Sequence, residues 1–413
     1  MGSKIFILVV IILGVLAIAQ IVRVSELMSK HSNKKPEEIP QRENMFNARM
    51  FLVFVILLFT SYIWLLLDYG HLNLGPSASA HGNEVDMLFN INWFIISTIF
   101  FVTNGALFFF AFKYVRKPGR KAYYYTHNAK LELLWTAIPS AVLTVIVIMG
   151  LKVWNDVTAQ AGKEYVDIEI FSYQFAWTAR YSGMNNELGK FDYKLTTAEN
   201  PYAIKTRENI EKSLSLMKVG SPGAEGVEML EKELRNDSIV MSAEDRSDLE
   251  DELDRKERMS KFLDGMLATY KDSLDELAND DVILEDSLVL LKGQKYNLNF
   301  RSKDVIHSAY FPQFRIQMNT VPGMTTYFKF QPIISSAEMK VKLDDPDYEY
   351  ALLCNKVCGG SHYKMKMSVV VLGPKKFLQW QKTKSTYDGT PWIEGNEKEL
   401  LEYYEGITNS VEE

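Results

Sequence analysis

The chain has few of the residues that bind transition metals. Among its 413 residues there are two cysteines, Cys354 and Cys358, and six histidines, of which only His307 and His362 follow residue 130. No Cys-x-x-Cys-His motif occurs, which excludes a c-type haem attached to this chain. Lysine and arginine are absent from residues 68–86, which argues against a cytoplasmic position for that segment if the chain crosses a membrane.

Both cysteines lie in one short segment that also contains His362 and Met365. Two thiols, an imidazole and a thioether form a soft-ligand set that suits copper better than hard cations. Their spacing would place all four on one face of a helix, but the adjacent Gly359 and Gly360 favour a loop that folds around an ion. A disulfide, a structural zinc site and a core-filling role for Met365 stay open as alternatives at this point.

Apolar runs dominate the first 155 residues, and each has about the 17 to 25 residues that a helix needs to cross a bilayer. The four runs are Ile5 to Val22, Met50 to Leu67, Met87 to Phe112 and Leu133 to Trp154. The first also resembles a secretory signal peptide, because it follows a lysine and ends in small residues, but we expect a retained anchor.

Charges in the connecting loops predict the orientation of these spans. Lysine and arginine are frequent in residues 23–49, including Lys34 and Lys35, and in residues 113–130. Both loops are therefore predicted to be cytoplasmic, and everything after Trp154 to be extracytoplasmic. The cysteine segment lies in this extracytoplasmic part.

The part after residue 155 is polar and acidic, and its patterns predict strands interrupted by helices. Residues 164–180 predict one or two strands, with aromatic side chains at alternate positions that include Phe175 and Trp177. Short alternating runs return in residues 282–380 and predict a small β-sandwich or barrel. His307 lies between two of these runs.

The intervening residues 185–280 are charged and contain regularly spaced leucines and methionines. This spacing predicts amphipathic helices, with a hairpin-like connection around Gly220 to Gly226 and a helix start at Ser242. We interpret this segment as a helical insertion that docks a partner surface.

Taken together, the motif Cys-x3-Cys-Gly-x2-His-x2-Met, an earlier histidine after Asp-Val and the predicted topology resemble the CuA domain of cytochrome c oxidase subunit II. Residues 131–139 resemble the start of that subunit's second transmembrane helix, residues 174–177 its aromatic segment and residues 321–323 its Pro-Gly turn. The resemblance covers about residues 85 to 182 and 282 to 382.

The resemblance implies two copper ions in a binuclear centre and no haem in this chain. The implied ligands are the bridging thiolates of Cys354 and Cys358, the imidazoles of His307 and His362, the weakly bound thioether of Met365 and the backbone carbonyl of Lys356. The family usually has a glutamate in place of Lys356, and that carboxylate helps to hold magnesium. Since an ammonium group cannot bind a hard cation, magnesium ligation by this chain is not expected.

Four further residues are candidates for roles in the predicted function. The family's electron-accepting tryptophan aligns with Phe175, and Trp177 would lie two positions on and on the same strand face, so either is a candidate unless it only fills the core. Glu132 matches a glutamate at the entrance of a proton path, although a solvated interfacial charge is the alternative. Asp304 is a candidate for an acidic face that meets a cationic cytochrome, with which the net charge of −6 is compatible.

The predicted fold is a membrane-anchored α+β chain, with four transmembrane helices followed by a cupredoxin-like β-sandwich or barrel that a helical insertion interrupts. The predicted parts are a transmembrane helix and cytoplasmic loop (1–48), a second helix and external loop (49–86), the family's transmembrane hairpin (87–155), the CuA domain (156–184 and 281–382), the insertion (185–280) and a tail (383–413).

The predicted function is electron input into a haem-copper terminal oxidase that reduces oxygen and pumps protons. The expected partners are its catalytic subunit, other oxidase subunits, a separate c-type cytochrome and membrane lipid, with a respiratory supercomplex as a candidate and no nucleic acid. The expected location is a bacterial inner membrane, with the carboxy-terminal domain periplasmic. The alternatives are a single-metal copper-binding or copper-delivery membrane protein and a quinol oxidase subunit without copper, although the retained ligands argue against the latter.

Overall fold

A computed structural model of the chain describes residues 2–31, 40–236, 239–393 and 395–411, without the side chains of residues 2–11 and 29–31. Lys34 and Lys35 of the predicted cytoplasmic loop lie outside the described residues. The chain forms two compact units, of which one contains residues 1–71 and 92–135 and the other contains residues 72–91 and 136–413.

Each of the four apolar runs lies within a long helix. These helices are α1 (Gly2–His31), α2 (Gln41–Tyr69), α3 (Gly82–Lys113) and α4 (Ala129–Thr158). Within the described residues, the three helices α2, α3 and α4 are long and apolar enough to cross a membrane. The membrane anchor is thus confirmed, whereas a fourth span at α1 stays a prediction.

Helices α2 and α3 contact each other through aromatic and hydroxyl side chains. The rings of Phe59 and Phe101 lie edge to face with their centroids 4.6 Å apart. The hydroxyl groups of Tyr62 and Ser97 are hydrogen-bonded at 2.6 Å. Such a pair satisfies two polar groups within segments that are otherwise apolar.

The carboxy-terminal part is rich in β-strands, as predicted, and contains two five-stranded sheets. The first has the strand order β10-β7-β1-β2-β5, with β1 (Val166–Tyr173), β2 (Ala176–Tyr181), β5 (Val282–Leu284), β7 (Tyr296–Ser302) and β10 (Thr326–Phe330). The second has the order β6-β12-β11-β8-β9, with β6 (Ser287–Leu291), β8 (His307–Phe311), β9 (Ile316–Thr320), β11 (Tyr350–Cys354) and β12 (Lys366–Leu372). Two pairs, β1 with β7 and β6 with β12, are parallel.

One apolar core lies between these sheets because alternate residues of each strand point inward. The first sheet contributes Ile168, Trp177 and Phe300, and the second contributes Leu290, Leu352 and Val369, all of them almost completely buried. Both cysteines contact this core, Cys358 as a buried member and Cys354 as a partly buried neighbour.

The insertion contains the predicted helices. They are α5 (Arg207–Lys218), α6 (Val227–Leu234), α7 (Ala243–Ala268) and α8 (Asp275–Asn279), and the short strands β3 (Gly220–Ser221) and β4 (Ala224–Glu225) form the hairpin between α5 and α6. Helix α7 begins after Ser242, whose hydroxyl accepts a hydrogen bond from the Asp245 amide at 3.0 Å. Leu195, Ile210 and Leu263 form a small separate core.

A buried ion cluster joins Asp281, directly after the insertion, to the first sheet. Glu169 accepts hydrogen bonds from the guanidinium groups of Arg180 and Arg301, and Arg180 also pairs with Asp281 at 2.8 Å. Burial favours the protonated form of Glu169, but the two guanidinium groups outweigh it and lower its pKa to about 2. Burial raises the pKa of Asp281 to about 7 despite Arg180.

Two segments outside the predicted CuA domain, residues 77–80 and the predicted tail, pack against it. Residues 77–80 of the external loop pair with the β-domain, since the Ala78 amide donates to the Gln313 carbonyl at 2.8 Å and the Ile333 amide donates to the Ala78 carbonyl at 2.8 Å. The predicted tail contains helix α11 (Glu397–Asn409), which packs Tyr404 against Phe377 of helix α10 (Pro374–Gln381). One further helix, α9 (Ser336–Leu343), precedes β11.

Candidate metal centre

The candidate site lies where β8 begins and β11 ends. These strands are antiparallel neighbours, and the pairing of Ala309 with Cys354 brings His307 beside the first cysteine. The ligand loop, which we define as residues 355–365, connects β11 to β12. Its ends are fixed by hydrogen bonds from the Cys354 amide to the Met365 carbonyl at 3.1 Å and from the Asn355 amide to the Ser308 carbonyl at 2.9 Å.

The loop brings the donor atoms of all predicted copper ligands together. The sulfur atoms of Cys354 and Cys358 are 4.0 Å apart. The Cys354 sulfur lies 3.9 Å from His307 Nδ1 and 3.2 Å from the Lys356 carbonyl oxygen. The Cys358 sulfur lies 3.6 Å from His362 Nδ1 and 3.8 Å from the Met365 sulfur.

The sulfur geometry argues against a disulfide. Both cysteines are free, and their separation of 4.0 Å is about twice the length of an S–S bond. The ligand atoms of His307, Cys354 and Cys358 all lie within 4.8 Å of one another, as a metal cluster requires. Two thiols, two imidazoles and a thioether are also the soft donors that copper prefers, so the residues present fit this metal.

Burial opposes ionisation of the Cys358 thiol. His307, Met365 and Cys358 are buried, with exposed fractions of 0%, 2% and 5%. Burial raises the pKa of Cys358 to about 11, and the adjacent Cys354 contributes in the same direction. The Cys358 thiolate is therefore unfavourable unless positive charge binds beside it, and metal binding there would release its proton.

A second group of residues orients the ligands. The Asp304 carboxylate contacts His307 Nε2 at 2.8 Å and accepts a hydrogen bond from the Gln174 backbone amide at 2.7 Å. The Gln174 side chain in turn donates a hydrogen bond to the Cys358 carbonyl oxygen. Asp304 and Gln174 thus connect His307 to the ligand loop through the turn between β1 and β2.

The prediction that Phe175 and Trp177 share one strand face is wrong, because residues 174 and 175 form the turn between β1 and β2. Trp177 points into the core with 1% of its surface exposed, and its ring centroid lies 6.1 Å from that of His307. Phe175 is half-buried and packs against the core from the turn. The two aromatics therefore differ in their access to solvent.

Close packing between this turn and the ligand loop explains Gly359. Its φ of +141° favours glycine. A Cβ atom there would lie 2.9 Å from the side-chain amide nitrogen of Gln174 and 2.9 Å from the Phe175 ring. The adjacent glycines predicted a loop but gave no signal of this contact, and the sequence likewise did not identify Gln174 as an orienting residue.

Glu132 is distant in sequence from the site residues and lies in the first turn of α4. Its carboxylate accepts a hydrogen bond from the Asn128 amide at 3.3 Å, and the Asn128 side chain accepts hydrogen bonds from the Lys130 and Leu131 amides. The side chain is exposed. These reciprocal hydrogen bonds cap the amino-terminal end of α4.

Comparisons with known proteins identify relatives that are similar over about three quarters of this chain. Residues 67–153 match the family described as cytochrome c oxidase subunit II, transmembrane domain. The alternative cytochrome c oxidase subunit 2 of Bradyrhizobium diazoefficiens is 25% identical over 308 residues, which are 74% of this chain and 82% of the relative. This chain is similar to cytochrome c oxidase subunit II. The resemblance predicted from the ligand motif is thus confirmed.

Other relatives agree with this family. Cytochrome c oxidase subunit 2 of Thermostichus vulcanus is 24% identical over 78% of this chain and 81% of the relative. Because such relatives are oxidase subunits, the prediction of an oxidoreductase complex is confirmed. The solved periplasmic domain of cytochrome oxidase subunit II of Bradyrhizobium japonicum is 14% identical over 54% of this chain and 94% of that domain, with a TM-score of 0.25.

Proposed function

We propose that the chain is the electron-input subunit of a haem-copper terminal oxidase and that it binds a binuclear CuA centre. The convergence of six donor atoms around Cys354 and Cys358 carries this proposal. A bound copper pair would supply one-electron redox chemistry. The site would take electrons from a c-type cytochrome and deliver them to the catalytic subunit, where oxygen reduction drives proton pumping.

The residues of the chain would perform three tasks at this centre. The thiolates of Cys354 and Cys358, the imidazoles of His307 and His362, the Met365 thioether and the Lys356 carbonyl would hold the copper ions. Burial of the ligands in a β-sandwich of the cupredoxin type would keep them nearly fixed, which lowers the reorganisation that electron transfer requires. Strand β12 and Trp177 would exclude water from one side.

We assign Phe175 a role in electron entry and Glu132 a role in proton entry. Phe175 is the more accessible of the two aromatics, so we assign it the contact with the cytochrome and assign Trp177 to packing under His307. Glu132 would lie at the cytoplasmic entrance of a proton path. The ammonium of Lys356 makes a magnesium ligand at that side chain unsuitable.

The membrane arrangement follows from the loop charges. We propose four spans, with α1 as the first, in a bacterial inner membrane and with residues 156–413 in the periplasm. We keep the predicted bounds of the parts, although the compact unit that contains the β-domain also includes residues 72–91 and 136–155. Helix α1, helix α2 and the insertion would bind other oxidase subunits or a supercomplex that carries the cytochrome.

A single-metal protein that binds or delivers copper is the second candidate. It is favoured by the fact that only His307, Cys354 and Cys358 group within 4.8 Å among the described residues. One ion bound by those three residues would leave His362 and Met365 without a role as ligands.

Metal counting on the detergent-solubilised full chain distinguishes the candidates. Two coppers per chain, with an electron paramagnetic resonance signal from one electron shared between them, are expected. Cys358→Ser and His362→Ala should abolish that signal, whereas His71→Ala, at an exposed histidine outside the site, should preserve it. One copper or zinc per chain without a shared-electron signal would exclude the binuclear centre and favour the second candidate.

A further inference from the structure

One histidine of the external loop has a buried ring without hydrogen bonds. His81 lies directly before α3, and its ring packs against Phe328 of β10 with the ring centroids 5.2 Å apart. Both ring nitrogens are buried, and neither has a hydrogen-bond partner among the described residues. Such a site accepts a neutral imidazole far better than an imidazolium, because a buried charge without a partner is strongly unfavourable.

This histidine ends the segment that fixes the external loop to the β-domain. We call residues 77–81 the latch. The Ala80 amide donates a hydrogen bond to the Gln331 carbonyl at 3.0 Å, and the Ser79 hydroxyl donates one to the Phe314 carbonyl at 2.7 Å. The latch therefore stays in place only while its last side chain can remain buried.

The position of His81 at the start of α3 adds to the cost of a positive charge. Its backbone carbonyl accepts hydrogen bonds from the Glu84 and Val85 amides at 3.0 and 3.2 Å. The ring thus belongs to the amino-terminal end of a long helix, where the partial positive charge of the helix dipole disfavours a cation.

Charged side chains on the surrounding elements do not compensate a proton on His81. They are Glu84 and Asp86 of α3, Arg315 before β9 and Lys329 of β10. Glu84 is exposed, Asp86 accepts hydrogen bonds from Arg315 at 2.7 and 2.9 Å, and the Lys329 ammonium lies over an aromatic ring, 5.3 Å from its centroid. In the described part of the chain, a protonated ring in this place would have no counter-ion.

The pKa of His81 reflects this burial. Burial lowers the pKa from 6.5 to about 4, although the nearby Arg315 backbone acts in the opposite direction. Because the buried ring binds a proton more weakly than an exposed one, acid favours the exposed ring. The stability of the latch is therefore complete above about pH 6.5 and is lost as the pH falls toward 4.

We propose that the latch is a pH-sensitive switch, in which protonation of His81 releases residues 77–81 from the β-domain and loosens the start of α3. The ring gains a solvated proton only by leaving its contact with Phe328, which breaks the hydrogen bonds of the latch. A proton-pumping oxidase would release protons on this side of the membrane, so the latch would respond to their accumulation. That consequence rests on the proposed function, whereas the switch itself does not.

Hydrogen exchange of the latch amides in the detergent-solubilised full chain tests the switch. The readout is the protection factor of residues 77–81, which compares their exchange with that of an unstructured peptide at the same pH. We expect it to fall about tenfold from about pH 7.5 to about pH 5.5, because an exposed imidazole is then about nine-tenths protonated. Equal protection factors at the two pH values would overturn the proposal.

Substitution of His81 assigns the effect to this side chain. His81→Phe keeps an aromatic ring against Phe328 and removes the titratable group, so its protection factor should not depend on pH in this range. His81→Leu, a second neutral variant, should behave in the same way. His71→Phe, at an exposed histidine of the same loop, is the matched control and should keep the full pH dependence. A tenfold fall that persists in both His81 variants would contradict the switch.

The buried ion cluster does not produce the same fall. Acid favours the folded state of Asp281, because burial raises its pKa to about 7, and Glu169 loses its contribution only below about pH 4.5. A peptide from β6 should therefore keep its protection over this range. An equal loss of protection in β6 would indicate unfolding of the whole β-domain and would reject a local latch.

The outcome is independent of the proposed function, because hydrogen exchange requires neither turnover nor an electron donor. A constant protection factor would reject the switch and leave electron input by this chain intact. Absence of paired coppers from a chain with a pH-dependent latch would reject the proposed function alone.

Discussion

The Asp304 carboxylate and the His307 imidazole lie 2.8 Å apart, from Oδ1 to Nε2, which leaves Nδ1 of the ring facing the Cys354 sulfur. Burial opposes the charge on Asp304, but its hydrogen bonds to His307 and to the Gln174 and Val305 amides hold its pKa below the usual value. An ionised acceptor at Nε2 keeps the proton on that nitrogen and makes Nδ1 available as a ligand. Asp304 therefore acts within the site more than as a free surface charge.

Replacing Asp304 tests this orientation. We expect Asp304→Asn to lower copper affinity about 10- to 100-fold, because the amide no longer fixes the tautomer of His307. Competition with a copper chelator measures the affinity on the full chain. Asp347→Asn, at an exposed aspartate, is the control. Unchanged copper affinity in the Asp304 variant would show that the ring is held by packing alone.

Substitution of neighbouring glycines tests the contact between the ligand loop and the β1–β2 turn. Gly359→Ala should destabilise the β-domain by about 1–3 kcal/mol and shift the thiolate-to-copper absorption, because its Cβ would overlap the Gln174 amide and the Phe175 ring. Gly360→Ala should be tolerated, since no heavy atom lies within 4 Å of its Cβ position. Equal effects of the two substitutions would contradict the close approach.

The buried ion cluster predicts different costs for its two acids. Glu169→Gln should reduce the free energy of unfolding at pH 7 by about 3–5 kcal/mol, because two buried guanidinium groups lose their shared carboxylate. Asp281→Asn should cost less, since burial raises the Asp281 pKa to about 7 and much of that carboxyl is already protonated. Urea unfolding of the full chain in detergent, monitored by tryptophan fluorescence, measures both. A larger loss for Asp281→Asn would reverse this ranking.

The same cluster predicts an acid-dependent loss of stability. The pKa of Glu169 is about 2 in the folded chain, below its ordinary value of 4.5, so its stabilising contribution is present above about pH 4.5. That contribution is lost as the pH falls from about 4.5 toward 2. The difference in unfolding free energy between the unmodified chain and Glu169→Gln should therefore shrink over this range. A constant difference would indicate that the carboxylate is not ionised at neutral pH.

Glu132→Gln separates the proton-path role from helix capping. Glutamine retains an acceptor for the Asn128 amide, so the start of α4 should be preserved, while the charge is removed. We expect slower oxygen reduction by the assembled complex, with unchanged copper content. Unchanged turnover would assign Glu132 to the helix cap alone.

The candidate metal ligands could be identified from the sequence because most of them are rare residue types in this chain. Cys354, Cys358, His307 and His362 are scarce residue types, and the Cys-x3-Cys-Gly spacing restricts how they can meet. Phe175 was wrongly predicted to lie on a strand, because aromatic residues at alternate positions are compatible both with one strand and with two strands joined by a tight turn. Helix α11 was not predicted from the sequence, because its packing partner for Tyr404 is Phe377, a contact that only the folded chain shows.

The β-domain is not continuous in sequence, because residues 77–80 precede the apolar helices α3 and α4 and yet form hydrogen bonds with it. Ala78 is fully buried in the same core as Trp177, and Arg315 forms hydrogen bonds to Asp86 at 2.7 and 2.9 Å. A soluble fragment that starts after α4 would lack this segment and leave a gap in its core. The β-domain can therefore complete its core only when this loop lies on the same side of the membrane, which links its folding to the insertion of α3 and α4.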